Sequence, residues 1–295
     1  MYSNKYDLIT SRWSHKKYIL HKKLGSGGIG EIFLAMDEKG ELIALKCSKD
    51  VISITKEYNF LGRFKDKNFV PKVYELDDFM KDGEVYHYFS MEYIQGETLK
   101  SAVKKGKLSY KVKLNLICLI AKIIKQINDE NYIYTDLKFE NIMIDRKNEI
   151  IKLIDFGSLV KVGCIAKEYT PMYDRMCWKK GNRVADMSYQ TFALAILMIA
   201  IFIGRTIDPT KESLELILKK LKQDKFPRRL WEIINKSLQG KIGSCDKLYK
   251  EMESVNCAWI LGKGKTPDSS TVNQVLNLII IILILILCGM IFTLI

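Results

Sequence analysis

The chain has 295 residues, of which 48% are hydrophobic, and its formal net charge at pH 7 is +13. Its length suits one two-lobed domain or two small domains, and its apolar content excludes a globally disordered protein. The positive charge favours anionic partners such as a nucleotide, an anionic lipid, a nucleic acid or an acidic protein, although a proteome-wide enrichment in lysine would produce the same surplus.

The first predicted unit is β-rich and covers residues 15–94, after an N-terminal extension at 1–14. Runs of β-branched and aromatic residues between turn signals predict its strands. The predicted strands lie at 17–20, 23–33, 41–47, 69–74 and 85–93.

Three glycines in this unit, Gly25, Gly27 and Gly30, fit the pattern Gly-x-Gly-x-x-Gly. Glycine lets a backbone approach a phosphate group closely. The same spacing occurs in dinucleotide-binding folds, but there the glycines lie between a strand and a helix. Here they lie in a strand–turn–strand setting, which disfavours a dinucleotide site.

Lys46 ends an otherwise apolar predicted strand, so its charge needs a partner or a ligand. A helix is predicted at 51–63, and its single carboxylate is Glu57. The sequence therefore predicts a Lys46–Glu57 ion pair, with a solvated glutamate on a helix face as the alternative.

The second unit, residues 95–255, is predicted to be helical, and the turn-rich stretch 95–99 marks its start. An apolar stripe at helical spacing predicts an amphipathic helix at 111–131. The stretch 191–204 is apolar on every side but too short to span a bilayer, so we expect a buried central helix. Further helices are predicted at 214–221, 229–238 and 246–255.

The stretch 132–144 places Asp136, Lys138 and Asn141 on one loop, and Asp155 follows two short strands later. The set provides a base, a cation and two oxygen ligands for a hard metal ion. Mg²⁺ favours oxygen ligands and is held by few protein groups together with substrate phosphates. The pattern therefore favours phosphoryl transfer, which depends on positioning and charge stabilisation.

The C-terminal residues predict a membrane anchor. A flexible linker is expected at 256–274, and 275–295 contains no charged residue. About twenty residues at a rise of ~1.5 Å give roughly 30 Å, one bilayer core. A buried helix is the alternative. Lys263 and Lys265 precede the predicted span, so the positive-inside rule places the bulk of the chain in the cytoplasm, at the cell membrane by a single pass.

The cysteines agree with a reducing compartment, since their number, seven, is odd and no two form a Cys-x-x-Cys pair. This usage argues against a disulfide framework or a zinc site. Residues 1–20 contain no apolar run, so no signal peptide is predicted.

Taken together, the motifs at 15–255 resemble those of a Hanks-type serine/threonine protein kinase. The resemblance implies an α+β, two-lobed protein-kinase-like fold with a small β-rich N-lobe and a larger helical C-lobe, here followed by one C-terminal transmembrane helix. It implies ATP and Mg²⁺ as cofactors and protein serine or threonine hydroxyls as acceptors. The combination of a bare kinase domain with a C-terminal membrane span resembles that of membrane-bound Hanks-type kinases of spore-forming bacteria.

The resemblance also implies a role for each matching residue. Asp136 would accept the proton of the substrate hydroxyl, and Lys138 would neutralise charge on the γ-phosphoryl group. Asn141 and Asp155 would ligate Mg²⁺. The nucleotide would be bound by the glycine-rich loop, by Lys46 steadied by Glu57, and by residues around the adenine and the hinge. These binding residues are Leu24, Gly25, Ser26, Gly27, Gly28, Ile29, Gly30, Ile32, Ala44, Lys46, Glu57, Met91, Glu92 and Met143.

The chain departs from the family pattern at the loop that carries the base. The family's His-Arg-Asp is Tyr134-Thr135-Asp136 here. Tyr134 can still pack in the core, but Thr135 cannot clamp a phosphate as arginine would. Between residues 156 and 177 the only aliphatic hydroxyls are Ser158 and Thr170, and residues 170–173 resemble the segment that faces the acceptor. We therefore expect no switching by activation-loop phosphorylation through that arginine.

Two further departures concern the C-lobe. The family's Ala-Pro-Glu appears at 175–177 as Arg-Met-Cys, and no late arginine partner is evident. Losing both halves of an ion pair costs less than losing one. The aspartate that opens the family's central helix is replaced by Ser188, with Asp186 nearby, and either could support the catalytic loop.

Some of the similar membrane-bound kinases are described as responding to DNA, and this chain offers basic candidates for such a contact. They are Lys179, Lys180, Arg183, Lys219, Lys220, Lys222, Lys225, Arg228 and Arg229. A solvated surface near anionic lipid is the alternative.

Two other functions compete with a protein kinase. A small-molecule phosphotransferase of kindred fold is disfavoured by Lys138 and the full glycine loop. A non-catalytic scaffold for DNA or protein would need none of the site residues.

Overall fold

The structure is a computed structural model that describes residues 7–28, 30–106, 108–224 and 226–260. A β-rich N-terminal lobe is followed by a helical C-terminal lobe, which confirms the predicted two-lobed fold. The strands are β1 (Asp7–Thr10), β2 (Lys17–Ser26), β3 (Glu31–Met36), β4 (Leu42–Ser48), β5 (Val73–Lys81), β6 (Glu84–Glu92), β7 (Gly96–Thr98), β8 (Tyr132–Tyr134), β9 (Ile142–Asp145), β10 (Ile150–Leu153) and β11 (Leu159–Lys161). The helices are α1 (Val51–Arg63), α2 (Leu99–Lys104), α3 (Tyr110–Asp129), α4 (Met187–Ile203), α5 (Leu214–Gln223), α6 (Arg228–Leu238) and α7 (Cys245–Ile260).

The N-lobe sheet has the order β1-β2-β3-β4-β6-β5, with antiparallel neighbours. The edge strand β1 lies inside the predicted N-terminal extension, which the sequence prediction left without structure. Ile9 of β1 is buried in the sheet's core. The backbone N–H groups of Trp13 and Ser14 donate to the carboxylate of Asp77 on β5, so the extension is fixed at both edges of the sheet.

The strand predicted at 69–74 was placed too early, because β5 begins at Val73. Phe69 and Val70 are buried beneath the sheet, and Pro71 has no N–H to donate to a strand partner. The hairpin that joins β5 to β6 turns at Asp82 and Gly83, which both have positive φ. This conformation suits the tight two-residue turn that an Asp-Gly pair favours.

The helix predicted at 51–63 is confirmed as α1. Asp50 caps its first turn by accepting from the N–H groups of Ile52 and Ser53, which would otherwise lack partners. Ile54, Glu57 and Leu61 are buried, and their spacing places them on one face of the helix. The single carboxylate of α1 therefore faces the protein interior.

The C-lobe is built around α4, whose residues from Tyr189 to Ile201 are all buried. This confirms the predicted buried central helix, although α4 starts earlier than expected. Asp186 caps its N-terminus, and Gly204 ends it in the left-handed conformation. The long helix α3 packs against α4 and α7 through its apolar stripe. The C-lobe also contains two small sheets, with the strand orders β10-β9-β7 and β11-β8.

The last described helix, α7, is longer than the helix predicted at 246–255, because it continues to Ile260. The first five residues of the linker predicted at 256–274 are therefore helical. The rest of that linker and the anchor predicted at 275–295 lie outside the described residues. None of the helices in the described ranges has both the length and the apolar composition needed to cross a bilayer.

Candidate functional site

A buried ion pair crosses from the N-lobe sheet to α1. The Nζ atom of Lys46 on β4 lies 2.5 Å from Oε2 of Glu57, and both side chains are almost fully buried. The predicted Lys46–Glu57 pair is thus confirmed. The same Nζ atom lies 3.7 Å from Oδ1 of Asp155, which follows β10. One ammonium group therefore links the sheet, the helix and the C-lobe strand pair.

Burial dominates the electrostatics of this group. Burial raises the pKa of Glu57 to about 7, although the charge of Lys46 acts to lower it. Burial acts to lower the pKa of Lys46, but the charges of Glu57 and Asp155 outweigh it, so that pKa is raised. Lys46 therefore stays charged at neutral pH, while Glu57 changes its charge close to neutrality.

The loop between β8 and β9 holds Asp136 in a set of donors. Its Oδ1 accepts from the hydroxyl of Thr170 at 2.6 Å. Its Oδ2 accepts from Nζ of Lys138 and, at 3.3 Å, from Nδ2 of Asn141. The predicted base, cation and amide are thus brought together, and the side chain of Asp136 is 12% exposed. The carboxylate is thus held by three donors and is largely buried.

Two oxygen-bearing side chains are available for a metal ion. Asn141 also donates its Nδ2 to the backbone carbonyl of Asp136 at 3.0 Å, so its Oδ1 remains an acceptor. The side chain of Asp155 is 33% exposed, and its Oδ1 accepts from the N–H of Gly157 at 3.2 Å. An amide oxygen and a carboxylate are the ligand types that suit Mg²⁺.

The glycine-rich turn joins β2 to β3, where the N–H of Gly27 donates to the carbonyl of Gly30. A Cβ atom on Gly30 would lie 2.2 Å from the carbonyl oxygen of Cys47, so no other residue fits there. By contrast, Cβ atoms on Gly25, Gly27 or Gly28 would meet nothing within 4 Å. The turn is open on that side. Leu24 and Ser26 are exposed beside it, and Ile29 lies outside the described residues.

The residues predicted around the adenine lie on three strands. Ala44 on β4 pairs with Met91 on β6, and both are buried with the partly buried Ile32 of β3 in one cluster. Met143 lies on β9 and is partly exposed. Three of these residues thus lie on the N-lobe sheet, and Met143 lies on the small sheet β10-β9-β7.

Glu92, predicted beside the nucleotide, lies at the end of β6, and its side chain is bonded within the chain. Its Oε2 accepts from Nζ of Lys152 at 2.6 Å and from the N–H of Lys72 at 3.1 Å. Lys152 is 4% exposed, so this largely buried ion pair joins the N-lobe strand β6 to the C-lobe strand β10. The carboxylate of Glu92 is thus already bonded on two sides by groups of the chain itself.

The catalytic loop is supported by Gln190, which the sequence prediction missed. The side chain of Gln190 is fully buried on α4. Its Oε1 accepts from the N–H of Tyr134 at 2.8 Å, and its Nε2 donates to the carbonyl of Tyr134 at 3.2 Å. The predicted candidates, Asp186 and Ser188, both bond Arg175 instead.

Tyr134 packs in the core as predicted. Its ring contacts Phe156 edge to face at 5.7 Å, and its hydroxyl donates to the carbonyl of Asp155 at 2.5 Å. Phe156 in turn packs against Phe64, which follows α1. Tyr134 thus connects the loop that carries Asp136 to Asp155 and, through Phe156, to Phe64 at the end of α1.

Residues 174–186, before α4, contain a local ion pair. The sequence predicts that the family's ion pair in this region is absent. Asp174 is fully buried, and its Oδ2 accepts from Nε of Arg183 at 2.8 Å. Arg175 is 7% exposed and donates to Asp186, Ser188 and the backbone of Asn182. Local pairs therefore fix this segment without a late C-lobe arginine.

Several residues of the predicted basic surface have partners within the chain. Arg183 pairs with Asp174, Lys180 lies 3.7 Å from Glu215, and Arg228 lies 2.9 Å from Glu232. Arg183 bonds the buried Asp174, and its side chain remains 27% exposed. The predicted DNA contact of these residues stays a prediction.

Comparison with known proteins agrees with this geometry. A family model of the protein kinase domain matches residues 18–254. The serine/threonine-protein kinase YabT of Bacillus subtilis is 30% identical over 249 residues, which are 83% of this chain and 73% of that protein. The serine/threonine-protein kinase PknG of Mycobacterium leprae is 27% identical over 271 residues, 84% of this chain and 33% of that protein.

A third relative is the probable serine/threonine-protein kinase PknB of Corynebacterium glutamicum, 29% identical over 152 residues, 48% of this chain and 23% of that protein. The chain thus spans about three quarters of the first relative and a third or less of the other two. The chain belongs to the protein kinase family, as a serine/threonine protein kinase of the Hanks type.

Proposed function

We propose that the chain transfers the γ-phosphoryl group of ATP, with Mg²⁺, to serine and threonine hydroxyls of other proteins. The observation that carries this proposal is the placement of Asp136. Its carboxylate is held by Thr170, Lys138 and Asn141, and it lies on the loop that Tyr134 links to Asp155. A fixed base next to the two oxygen ligands is what phosphoryl transfer requires.

The residues present fit a magnesium-bound nucleotide. Asn141 offers its amide oxygen, and Asp155 offers a carboxylate whose side chain is one-third exposed. Lys46 carries a positive charge fixed by Glu57 and would hold the phosphates from the N-lobe side. When bound, the metal–nucleotide supplies the phosphoryl group and offsets the charge that develops on its oxygens.

The residues of the chain would then act on the acceptor. Asp136 accepts the proton of the acceptor hydroxyl at a carboxylate oxygen, which makes the hydroxyl oxygen a better nucleophile. Lys138, bonded to the same carboxylate, places a positive charge on the side from which the phosphoryl group arrives. Thr170 already donates a hydroxyl to Oδ1 of Asp136 at 2.6 Å, so this oxygen is oriented to bond an aliphatic hydroxyl.

The test is transfer from γ-labelled ATP to a generic basic protein, followed by identification of the labelled amino acid. We expect the label on serine or threonine, and we expect its transfer to require added Mg²⁺. The variant Asp136→Ala should transfer no label. Label on an aminoglycoside or a sugar, with none on protein, would favour a small-molecule phosphotransferase. Transfer by neither route would favour a scaffold.

We further propose that residues 275–295 anchor the kinase to the cell membrane, with its domain in the cytoplasm. The support is the absence of charged residues over a length of one bilayer core, with Lys263 and Lys265 ahead of it. The full chain should sediment with membranes and resist extraction by high salt. A variant lacking residues 275–295 should be found in the supernatant, and its retention in membranes would contradict the proposal.

A further inference from the structure

The activation segment, residues 157–174, is anchored along its length by groups of the chain itself. Its start forms β11, which pairs with β8. Its middle is bonded to residues 183–185, which precede α4: the N–H of Gly163 donates to the carbonyl of Ala185, and the N–H of Ala166 donates to the carbonyl of Arg183. Its end is fixed by the bond from Thr170 to Asp136. Two places in the segment, at Gly157–Ser158 and at Glu168, receive further bonds from side chains outside it.

Thr135 reaches both of these places. It occupies the position where the family carries a phosphate-binding arginine, and it is 1% exposed. Its Oγ1 lies 2.8 Å from the carbonyl oxygen of Ser158 and 2.7 Å from that of Glu168. The hydroxyl has one proton and shares it between two carbonyls that are ten residues apart in the segment. Thr135 therefore joins the start of the segment to its far part.

Lys56 reaches the same two places from the N-lobe. It lies on α1 next to Glu57, and its Nζ donates to the carbonyl of Gly157 at 2.5 Å. The same Nζ lies 3.9 Å from Oε1 of Glu168. Because Glu57 bonds Lys46, the two neighbouring residues of α1 connect the nucleotide-side lysine to the segment. A carboxylate of the segment thus lies beside a cation of α1 without any added phosphate.

The two aliphatic hydroxyls of the segment are already used in this arrangement. Ser158 is 2% exposed, and its Oγ accepts from the N–H of Asp136 at 3.3 Å. Thr170 donates to the carboxylate of Asp136. A phosphate on either would place about two negative charges next to the base and would break its bonds. Phosphorylation at these positions would therefore oppose the arrangement instead of stabilising it.

We infer that Lys56 and Thr135 are positioning residues that hold the activation segment in its competent arrangement without phosphorylation. The inference rests on the proposed function for its effect on catalysis. It assigns to a lysine of α1, a buried threonine and the carboxylate of Glu168 the role that a phosphorylated residue and an arginine would otherwise have.

The experiment compares full-length variants after treatment with a phosphatase that is then removed. Lys56→Met and Thr135→Val remove one donor each, and Lys56→Arg and Thr135→Ser restore it. Lys122→Met, which replaces an exposed lysine of α3, is the matched surface control.

We expect the treated wild-type chain to keep its transfer rate within about twofold. We expect Thr135→Val to lower kcat about fivefold or more, because its hydroxyl is buried. We expect Lys56→Met to lower kcat by a smaller factor, about threefold, because its side chain is 40% exposed and that of Glu168 is 46% exposed. In both variants KM for ATP should be nearly unchanged. The restored variants should recover at least half of kcat.

Hydrogen exchange of residues 157–170 gives a second measurement that needs no phosphate transfer. Lys56→Met and Thr135→Val should speed exchange there, and Lys122→Met should not. If the wild-type chain transfers no phosphate, the proposed function is contradicted. The inference about Lys56 and Thr135 is then tested by hydrogen exchange alone. Loss of wild-type activity on dephosphorylation, or variants that match Lys122→Met in both kcat and exchange, would overturn the inference.

Discussion

Replacing Gln190 tests how the catalytic loop is held in place. The side chain is fully buried on α4 and bonds both the N–H and the carbonyl of Tyr134, two residues before the proposed base Asp136. Methionine has nearly the same length and shape as glutamine but can replace neither bond. Gln190→Met therefore removes the support while leaving the packing of the helix almost unchanged.

The expected effect follows from the two groups left without partners. An unsatisfied buried backbone group costs about 1–3 kcal/mol, so two cost roughly 2–4 kcal/mol after partial relaxation. For a domain of this size that is a fall in Tm of roughly 4–16 °C. If the loop relaxes to recover the bonds, the base moves with it, and a small misplacement of a catalytic group lowers kcat by about 10²-fold.

The matched control is Thr191→Val, one residue further along the same helix. Thr191 is fully buried, and its hydroxyl donates to the carbonyl of Ile242 at 3.0 Å, away from the catalytic loop. The variant Thr191→Val should have a free energy of unfolding lower by about 1–2 kcal/mol and an unchanged kcat. Both variants are assayed for phosphate transfer at a temperature well below either Tm. If Gln190→Met keeps the kcat of Thr191→Val, Gln190 does not position the base.

Three further predictions follow from the site. Because burial raises the pKa of Glu57 to about 7, kcat/KM for ATP should fall as the pH decreases below 7. Below that pH the carboxylate gains a proton and no longer pairs with Lys46. The variant Glu57→Gln should lack this decrease of kcat/KM at low pH. Gly30→Ala should weaken ATP binding measured by calorimetry, because its Cβ would lie 2.2 Å from a carbonyl oxygen of β4, and Gly27→Ala, with open space, should weaken it less. Arg183→Met should lower the free energy of unfolding by about 3 kcal/mol by leaving the buried Asp174 unpaired, and adding Asp174→Asn should recover part of that loss in denaturant titrations.

The parts of the site that could be predicted from the sequence are those set by local chemistry. Position 30 requires glycine, because a Cβ atom there would lie 2.2 Å from the carbonyl oxygen of Cys47. Lys46 could be paired with Glu57 because a charge on an apolar strand requires a partner and the following helix has one carboxylate. Asp136, Lys138 and Asn141 lie within six residues, so their proximity follows from the chain itself.

The parts that could not be predicted depend on contacts between distant residues. Gln190 is 56 residues from Tyr134, and an amide has no charge that would demand a partner. Ser188 and Asp186 were considered because of their position in the family pattern, but Arg175 bonds both of them. The same limit applies to Lys152, whose ion pair with Glu92 spans 60 residues.

The strand errors have a similar origin. Residues 69–72 have the composition of a strand, but the core beneath the sheet takes up their apolar side chains, and β5 forms later. The strand β1 is short, and Ile9 is the one buried apolar side chain on it, so its sequence carries little periodic signal. Its pairing with β2 and the bonds to Asp77 supply what the local sequence lacks.

The most direct test of the account is the single-turnover rate of phosphate transfer by Asp136→Asn, with the affinity for ATP and Mg²⁺ measured on the same sample. The account predicts a rate lower by about 10²- to 10⁴-fold, because the base is lost, while the affinity changes by less than about threefold. A transfer rate equal to that of the wild-type chain would contradict the assignment of the base and, with it, the proposed mechanism.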